Sequence, residues 1–475
     1  MLRALLHRTA SRVAIMTGTR RFDAAGGGRR WSGNPTMGPL NVEVLAAAPA
    51  IRRRAAYFAR NNPWLSNGVE ALVSNLVGSG IRPVSKHPNA ATRKALQDAF
   101  SRWTSQADAD GVLDFYGVQG IAVRQMIEAG EVFGHLLTPD AALGVPFSIR
   151  LVDAELVDPA HTLDLGGGAQ IVGGVEFEQS GKRTGYHVSQ RRPTDLFATT
   201  LPAIRIPAAD MCHLFNPLAP GQVRGVSWTA PVLLRLQELD ELEDAQLMRQ
   251  KIAALFGGFL TDPNADPAVN PFDAENGITM PTLEPGTMQA LPPGFDVKFA
   301  EPREASEGVA FIKSQLRAIA AGLGVPDFLL TGDLSEANYS SLRSGLVQFR
   351  RRVEALQYNV IIHQFCRPVW ERFVTMAVLS GAIEAPDFEA NTADYLSAEW
   401  YPPAQQWVDP LKDQEAEALA VASGFKSRRQ VVAAQGYDVE VLDAEIASDK
   451  ARETALGLQF TVPPADAKAT INAAS

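Results

Sequence analysis

Gly322-Leu-Gly-Val-Pro-Asp-Phe-Leu-Leu-Thr-Gly-Asp-Leu-Ser-Glu-Ala-Asn-Tyr-Ser-Ser-Leu-Arg-Ser-Gly-Leu-Val-Gln-Phe-Arg-Arg-Arg352 places a polar, hydroxyl-rich loop between two long helical patterns. Upstream, Val309, Ile312, Leu316, Ile319 and Leu323 recur at three- and four-residue steps, the apolar stripe of a helix for which Ser306 is a suitable N-cap. Gly322, Gly324 and Pro326 are its stop signals. Downstream, Leu342, Leu346, Phe349, Val353, Leu356 and Val360 restart the period and carry it toward Pro368, where the missing donor is expected to kink or end the helix. Between the two patterns Asp333, Ser335, Glu336, Asn338, Tyr339, Ser340 and Ser341 offer many hydrogen-bonding groups and no catalytic pairing. The reading is a loop held out on rigid arms.

Ahead of this stretch, Ala230 to Phe256 is the clearest long helix. Leu236, Leu239 and Leu242 form a stripe continued by Leu247, Ile252 and Leu255. Glu238, Asp240, Glu241, Glu243 and Asp244 load its first half with acid, and Arg249 and Lys251 load the second with base, which complements the helix dipole. At a rise of 1.5 Å per residue it is about 40 Å long. Gly257 to Ala300 is rich in Pro, Gly and short apolar runs. Toward the N-terminus, Val42 to Leu76 reads as helical, with Arg52, Arg53, Arg54 and Arg60 on a polar face and Val69, Leu72, Val73 and Leu76 on an apolar one. Helices are expected over Ala90 to Ser105 and Gly117 to Ala129, and Glu131 to Leu137 alternates like a strand. Phe147–Val152, Ile171–Phe177, Gly185–Val188 and Met211–Phe215 are short β-like runs, and Gln179-Ser-Gly-Lys-Arg183 is a natural hairpin turn. Beyond Asp409, Gln414 to Val421, Arg428 to Ala433 and Val439 to about Leu456 are short helical patterns.

The 475 residues suffice for two or three lobes, and 46% hydrophobic content with mean hydropathy near zero describes a globular chain. A net charge of −9 argues against a protein that coats DNA by neutralising phosphates, without excluding one past which DNA slides. Cys212 and Cys366 lie too far apart in sequence to imply a disulfide framework, and no apolar run is long enough to span a bilayer. The first forty residues set Arg3, Arg8, Arg12, Arg20, Arg21, Arg29 and Arg30 against the single acid Asp23. This composition serves a basic, disordered arm docking on an acidic partner, or an Arg-rich transit peptide.

The run from Gly324 to Arg343 resembles the segment of lambda-type tailed-phage portal proteins in which a GVP…LTGD…NYSS.R pattern follows the second stem helix. Other motifs follow in the order of that family. They are Arg60-Asn-Asn-Pro-Trp64, Val77-Gly-Ser-Gly-Ile-Arg-Pro83 and Ala129-Gly-Glu-Val-Phe133, then Pro207-Ala-Ala-Asp-Met-Cys-His-Leu-Phe215 with Gly221-Gln-Val-Arg-Gly-Val-Ser227, and Trp407-Val-Asp-Pro-Leu-Lys412. The resemblance runs from about Asn41 to about Phe460. It implies an α+β portal-type fold with an α/β wing, a two-helix stem, a small β-containing clip and a short helical crown. The implied division is a basic disordered arm (1–40), wing (41–228), first stem helix (229–256), clip (257–303) and second stem helix (304–323). The channel loop, long helix and rest of the wing (324–408), a helical crown (409–460) and a flexible tail (461–475) complete it.

That resemblance also implies a non-enzymatic ring subunit, a dodecamer in the virion, through which double-stranded DNA passes without sequence-specific contact. Its implied partners are the terminase large subunit, the major capsid or scaffold protein and the head-tail connector, with no membrane, metal or cofactor. The expected channel residues are Asp333, Ser335, Asn338, Tyr339, Ser340, Ser341 and Arg343, with Glu238, Asp240, Glu241 and Asp244 as an acidic stem face that repels phosphate. Asn338 or Ser340 serves equally as a helix cap. Arg350, Arg351 and Arg352 form a basic cluster whose members fan around a helix, so they pair with acids such as Glu336 and Glu354 or touch DNA. Gly174 to Arg183 contains a Gly-Lys step but lacks the spacing and the Ser/Thr of a phosphate-binding loop, and His363 with Cys366 reads as a half-buried core pair. Asp153 with Glu155, and Asp262 with Asp266, read as solvated loop acids. The competing readings are a soluble hydrolase with a dispersed site built from His135, His187 or His213, and a monomeric adaptor.

Overall fold

A computed structural model describes residues 38–139, 144–192, 201–255, 259–261, 289–291, 305–335, 338–404 and 410–458. Two compact units divide the chain, Met1–Glu43 and Val44–Ser475. The arginine arm before residue 38 and the tail after residue 458 lie outside the described residues, as do Asp262, Asp266, Glu336 and most of 257–303.

Helix α1 spans Leu40–Asn61 and α2 spans Pro63–Leu76. The Asn-Asn-Pro motif makes the break between them: Asn62 Oδ1 accepts the Leu65 amide at 2.9 Å as N-cap, and Pro63 occupies the first helical turn, where its missing donor costs nothing. Strand β1 (Arg82–Ser85) follows a turn in which Gly80 has φ +106° and a Cβ would strike the Tyr116 ring, so only glycine fits. Helix α3 (Ala90–Thr104) is capped by Asn89 and α4 (Phe115–Glu128) by Asp114. The next strands are β2 (Glu131–Leu137), β3 (Ser148–Val152), β4 (Leu163–Gly166), β5 (Ala169–Val172), β6 (Val175–Phe177), β7 (Arg183–Val188), β8 (Ile204–Pro207) and β9 (Met211–Phe215).

β3, β2 and β9 form a three-stranded sheet in that order, and β4 to β8 an antiparallel five-stranded meander. Ile171–Phe177 is therefore two strands instead of one run. Gly173 and Gly174, with φ +57° and +80°, make the two-residue turn whose left-handed backbone suits a tight hairpin. The turn expected at Gln179–Arg183 is present, with the Glu178 amide bonded to Lys182 O and Gly181 at φ +81°. The three-stranded sheet separates two cores by simple alternation along its strands. Val132, Leu136, Ile149, Cys212 and Leu214 belong to the larger, mainly helical core, and Phe133, Val152 and Met211 to the core beneath the five-stranded sheet.

Helix α5 runs Leu233–Leu255, about 34 Å rather than 40. Leu233, Leu236 and Leu239 are buried, but Leu247 of the expected stripe is more than half exposed, as is Met248 beside it. β10 (Phe259–Thr261) and β11 (Gln289–Leu291) pair in parallel. Helix α6 spans Ala305–Leu323, which puts Ser306 inside the first turn instead of at the cap. Its C-terminal half is buried through Leu316, Ile319 and Leu323, whereas Val309 is exposed. Gly324 at φ +73° ends it, and its amide and that of Val325 return to Ala320 O. A short helix α7 (Asp327–Thr331) interrupts the loop and ends on left-handed Gly332.

Helix α8 (Tyr339–Leu356) does not stop at Pro368. It passes into a π-helical segment, Gln357–Cys366, and on into α9 (Arg367–Leu379), with Pro368 in the first turn of α9. The Arg367 amide reaches Ile362 O, a five-residue step. Widening the turn before the proline carries the chain on through a position that lacks a donor. α10 (Thr392–Leu396) and β12 (Ala398–Tyr401) close the body, β12 pairing with β1 across the length of the chain. α11 (Pro410–Ala422), α12 (Arg428–Ala434) and α13 (Val439–Leu456) contain no buried residue.

Candidate functional site

Three of the sequence motifs meet in one buried cluster. Glu131 opens β2 with no exposed surface, and Arg224, 1% exposed, places Nε 2.8 Å from its Oε1 and 2.9 Å from its Oε2. Arg224 Nη2 lies 2.6 Å from Glu131 Oε1 and also donates to the Ala154 carbonyl (3.2 Å), while Nη1 donates to the carbonyls of Val157 (2.9 Å) and Gly173 (2.5 Å), all three carbonyls on the five-stranded side. Glu131 Oε2 also accepts the Gly225 amide at 2.8 Å and His213 Nε2 at 3.0 Å. Arg183 donates to His213 Nδ1 at 3.0 Å, so that nitrogen accepts and Nε2 carries the proton. Arg52, expected on the polar face of its helix, turns inward and reaches Glu131 Oε1 at 3.4 Å.

Burial works to raise the Glu131 pKa, but the charge of Arg224 and the hydrogen bonds from His213 and Arg224 outweigh it and hold the carboxylate ionised. Burial, against the pull of Glu131, lowers His213 to about 4, so the imidazole is neutral near pH 7. Gly130 and Gly225 permit this closure, since a Cβ on Gly225 would lie 2.1 Å from Gly130 O. None of these roles was read from the sequence. The available signals were an acid opening an otherwise apolar strand and an arginine within the short Gly221–Gly225 motif.

The expected channel residues fall on two elements. Asp333 and Ser335 lie exposed in the loop after α7. Asp333 accepts the Ser335 hydroxyl and, at 2.9 Å, the Ser335 amide, and these bonds together with one from Lys313 lower its pKa to about 2. Asn338 holds the position before α8, its carbonyl accepting the Leu342 amide, while Tyr339, Ser340 and Ser341 form the first turn. Arg343, expected at DNA, pairs with Asp413 of α11 at 2.8 Å. Arg350 is half-buried and Arg351 and Arg352 are exposed on α8, with the Arg352 guanidinium lying over Gly324. Between α6, α7 and α8 runs a groove of about 780 Å³ lined by Trp64, Leu316 and Phe328 and by Lys313, Arg317 and Arg352.

The expected acidic face of α5 is divided. Asp240 accepts Asn62 Nδ2 at 2.6 Å, and burial raises its pKa against that bond, while Glu238, Glu241 and Asp244 are exposed.

The histidines do not assemble a shared site. His213 bonds Glu131, His187 bonds Glu176 at 3.1 Å, and His135 is half-buried on β2, where burial lowers its pKa. Cys366 is buried but His363 is exposed, so they are not a core pair. Among the described residues no group of three or more His, Cys, Asp or Glu is arranged to hold a metal ion, and no helix is long and apolar enough to cross a membrane.

Comparison with known proteins agrees with the family the motifs resemble. Portal protein B of Escherichia phage lambda is 22% identical over 93% of this chain and 90% of its own length. A probable portal protein of Halomonas phage phiHAP-1 is 26% identical over 90% of this chain and 85% of its own. Among solved structures, a chain from the neck of the native gene transfer agent particle computed with C12 symmetry aligns with 16% identity and a TM-score of 0.43, covering 90% of this chain and 96% of that one. The profile of phage portal proteins of the lambda family matches residues 27–357, a span that includes Glu131, His213, Arg224 and the whole segment from Gly322 to Arg352. The chain belongs to the lambda family of phage portal proteins.

Proposed function

We propose that this portal protein assembles as a dodecameric ring at the unique vertex of a phage or prophage capsid. In this reading it is a non-enzymatic conduit for double-stranded DNA during packaging and ejection. The observation that carries the reading, beside family membership, is the α5–α6 pair. Each helix is rooted in the core at one end and more exposed at the other, and α5 carries solvent-facing acids. Struts of this kind set around an axis make a passage, and one acid per subunit, Glu238, repeated around it repels phosphate and holds DNA loosely enough to move.

The corresponding division is a wing from 41 to 228 and again within 324–408, with α5 and α6 as stem, the β10–β11 region as clip and α11 to α13 as crown. The clip is the natural dock for the terminase large subunit and later the head-tail connector, and the wing for capsid or scaffold protein. The loop carrying Asp333, Ser335 and Asn338 is the segment proposed to narrow the channel. Contacts there fall on the DNA backbone and carry no sequence information.

The test is the solution mass of the full-length protein with images of the same peak. A dodecamer of 51.2 kDa subunits with a hole wide enough for a duplex is the expected result. A chain that stays monomeric or dimeric even with its scaffold and capsid protein present overturns the reading.

A further inference from the structure

A ring needs two different, complementary faces on opposite sides of each subunit. The α5–α6 pair carries such faces. Gly308 packs against Gln246 and Gly322 against Val232, so the helices run antiparallel with equal spacing along each, which brings Glu241 level with Lys313. On a helix of 3.6 residues per turn, Glu241 and Asp244 fall opposite the Val232–Gln246 contact line, and Lys313 and Arg317 fall opposite the Gly308–Gly322 line. All lie outside the contact between the helices, acids on one flank of the layer and bases on the other. Leu234 (75% exposed) and Met248 (56%) flank the acids on the same side of α5. The bases border the groove lined by Trp64, Leu316 and Phe328. Within the chain Lys313 reaches Asp333 and Arg317 reaches Asp327, each at 3.3 Å and in solvent, where such pairs are weak and readily exchanged.

We propose that the outer ridge of α5, carrying Leu234, Glu241, Asp244 and Met248, seats in the groove beside Lys313 and Arg317 of the next copy of this chain. With the two helices standing along the ring axis, rotation keeps every residue at its own height, so the level match of Glu241 with Lys313 within one chain becomes a contact between neighbours. Asp240 is already committed to Asn62, and Glu238 is the acid left for the channel. The assignment rests on the ring reading and names the surface that builds the ring.

Charge reversal with repair tests it. Glu241→Lys and Lys313→Glu are each expected to shift the protein from ring to monomer, raising the half-assembly concentration at least tenfold, and the two together to restore the ring. A second variant does not depend on the reversals folding. Glu241→Cys with Lys313→Cys, oxidised, is expected to give a ladder of covalent multimers, with neither single substitution doing so. The two sites cannot bridge within one chain, because helices pack about 8–10 Å apart and both positions face outward, beyond the ~7 Å Cα separation a disulfide tolerates. Cys212 and Cys366 are buried. If the parent protein forms rings and neither the reversals nor the cysteine pair behaves as stated, the interface is wrong while the ring stands. If the parent protein forms no ring, both fall.

Discussion

Arg224 holds the carboxylate of Glu131 through Nε, at 2.8 and 2.9 Å from its two oxygens, and through Nη2, 2.6 Å from Oε1, while Nη1 and Nη2 also reach three backbone carbonyls of the lobe that carries the five-stranded sheet. One guanidinium thereby joins the strand that divides the two cores to the segments packed beneath one of them. Removing one partner of such a buried pair leaves an uncompensated charge. Arg224→Met is expected to lower unfolding stability by about 3–5 kcal/mol. Arg224→Met with Glu131→Leu is expected to recover part of it, since both charges are then gone. Urea unfolding of the two variants measures this, and equal stability of Arg224→Met and the parent would refute it.

The same cluster sets an acid limit. The His213 pKa is lowered from 6.5 to about 4 on folding, so between these values the unfolded chain binds more proton than the folded one. Stability contributed here is present above pH 6.5 and lost as pH falls toward 4. Glu131, depressed below 4.5, adds a further loss beneath that pH. Replacing His213 with Gln keeps a neutral donor and acceptor without the titration. Its stability is expected to vary less between pH 6.5 and 4 than that of the parent, read from thermal midpoints across that range.

Gly225→Ala tests the glycine closure. Its Cβ would meet the backbone oxygen of Gly130 at 2.1 Å, and backbone cannot move aside as a side-chain tip can. A loss of about 3 kcal/mol is expected. Gly111→Ala is a poor control because Gly111 sits at φ +68°, whereas Gly120, with open space around it, is a fair one. Comparable losses at 225 and 120 would remove the argument.

Gln357 begins the π-helical segment and donates to Leu76 O at 2.9 Å and Asn75 O at 3.3 Å, covering the carbonyls that end α2. Gln357→Leu leaves the Leu76 carbonyl buried without that donor, at a cost of about 1–3 kcal/mol. A thermal midpoint unchanged from the parent would show that water or backbone replaces the amide.

Helices α11 to α13 have no buried residue and are tied to the body through exposed pairs, Arg93–Glu440 at 2.9 Å, Arg343–Asp413 at 2.8 Å and Arg429–Glu399 at 3.1 Å. Each is worth about 0.2–1 kcal/mol. In the unassembled chain, limited proteolysis is expected to release this segment first, and Arg93→Ala with Arg343→Ala to speed its release several-fold without moving the main unfolding transition. First cleavage within the body would contradict this.

Local patterns in the sequence determined the helices at 90–104 and 115–128, the strand at 131–137 and the hairpin near Gly181, because each depends on periodicity or turn chemistry within a dozen residues. The ordered motifs also identified the family, since motif order survives where residue identity does not. Tertiary structure alone decided that Glu131, His213 and Arg224, separated by 82 and 93 residues from the first, close on one another, and that β1 pairs with β12. It decided that Arg343, expected at DNA, meets Asp413, and that Arg52, expected on a polar face, turns inward to Glu131. A charged side chain takes its role from whichever opposite charge the fold brings within a few ångströms, and from how much water the fold removes around the pair. Neither quantity has a period that a sequence can display.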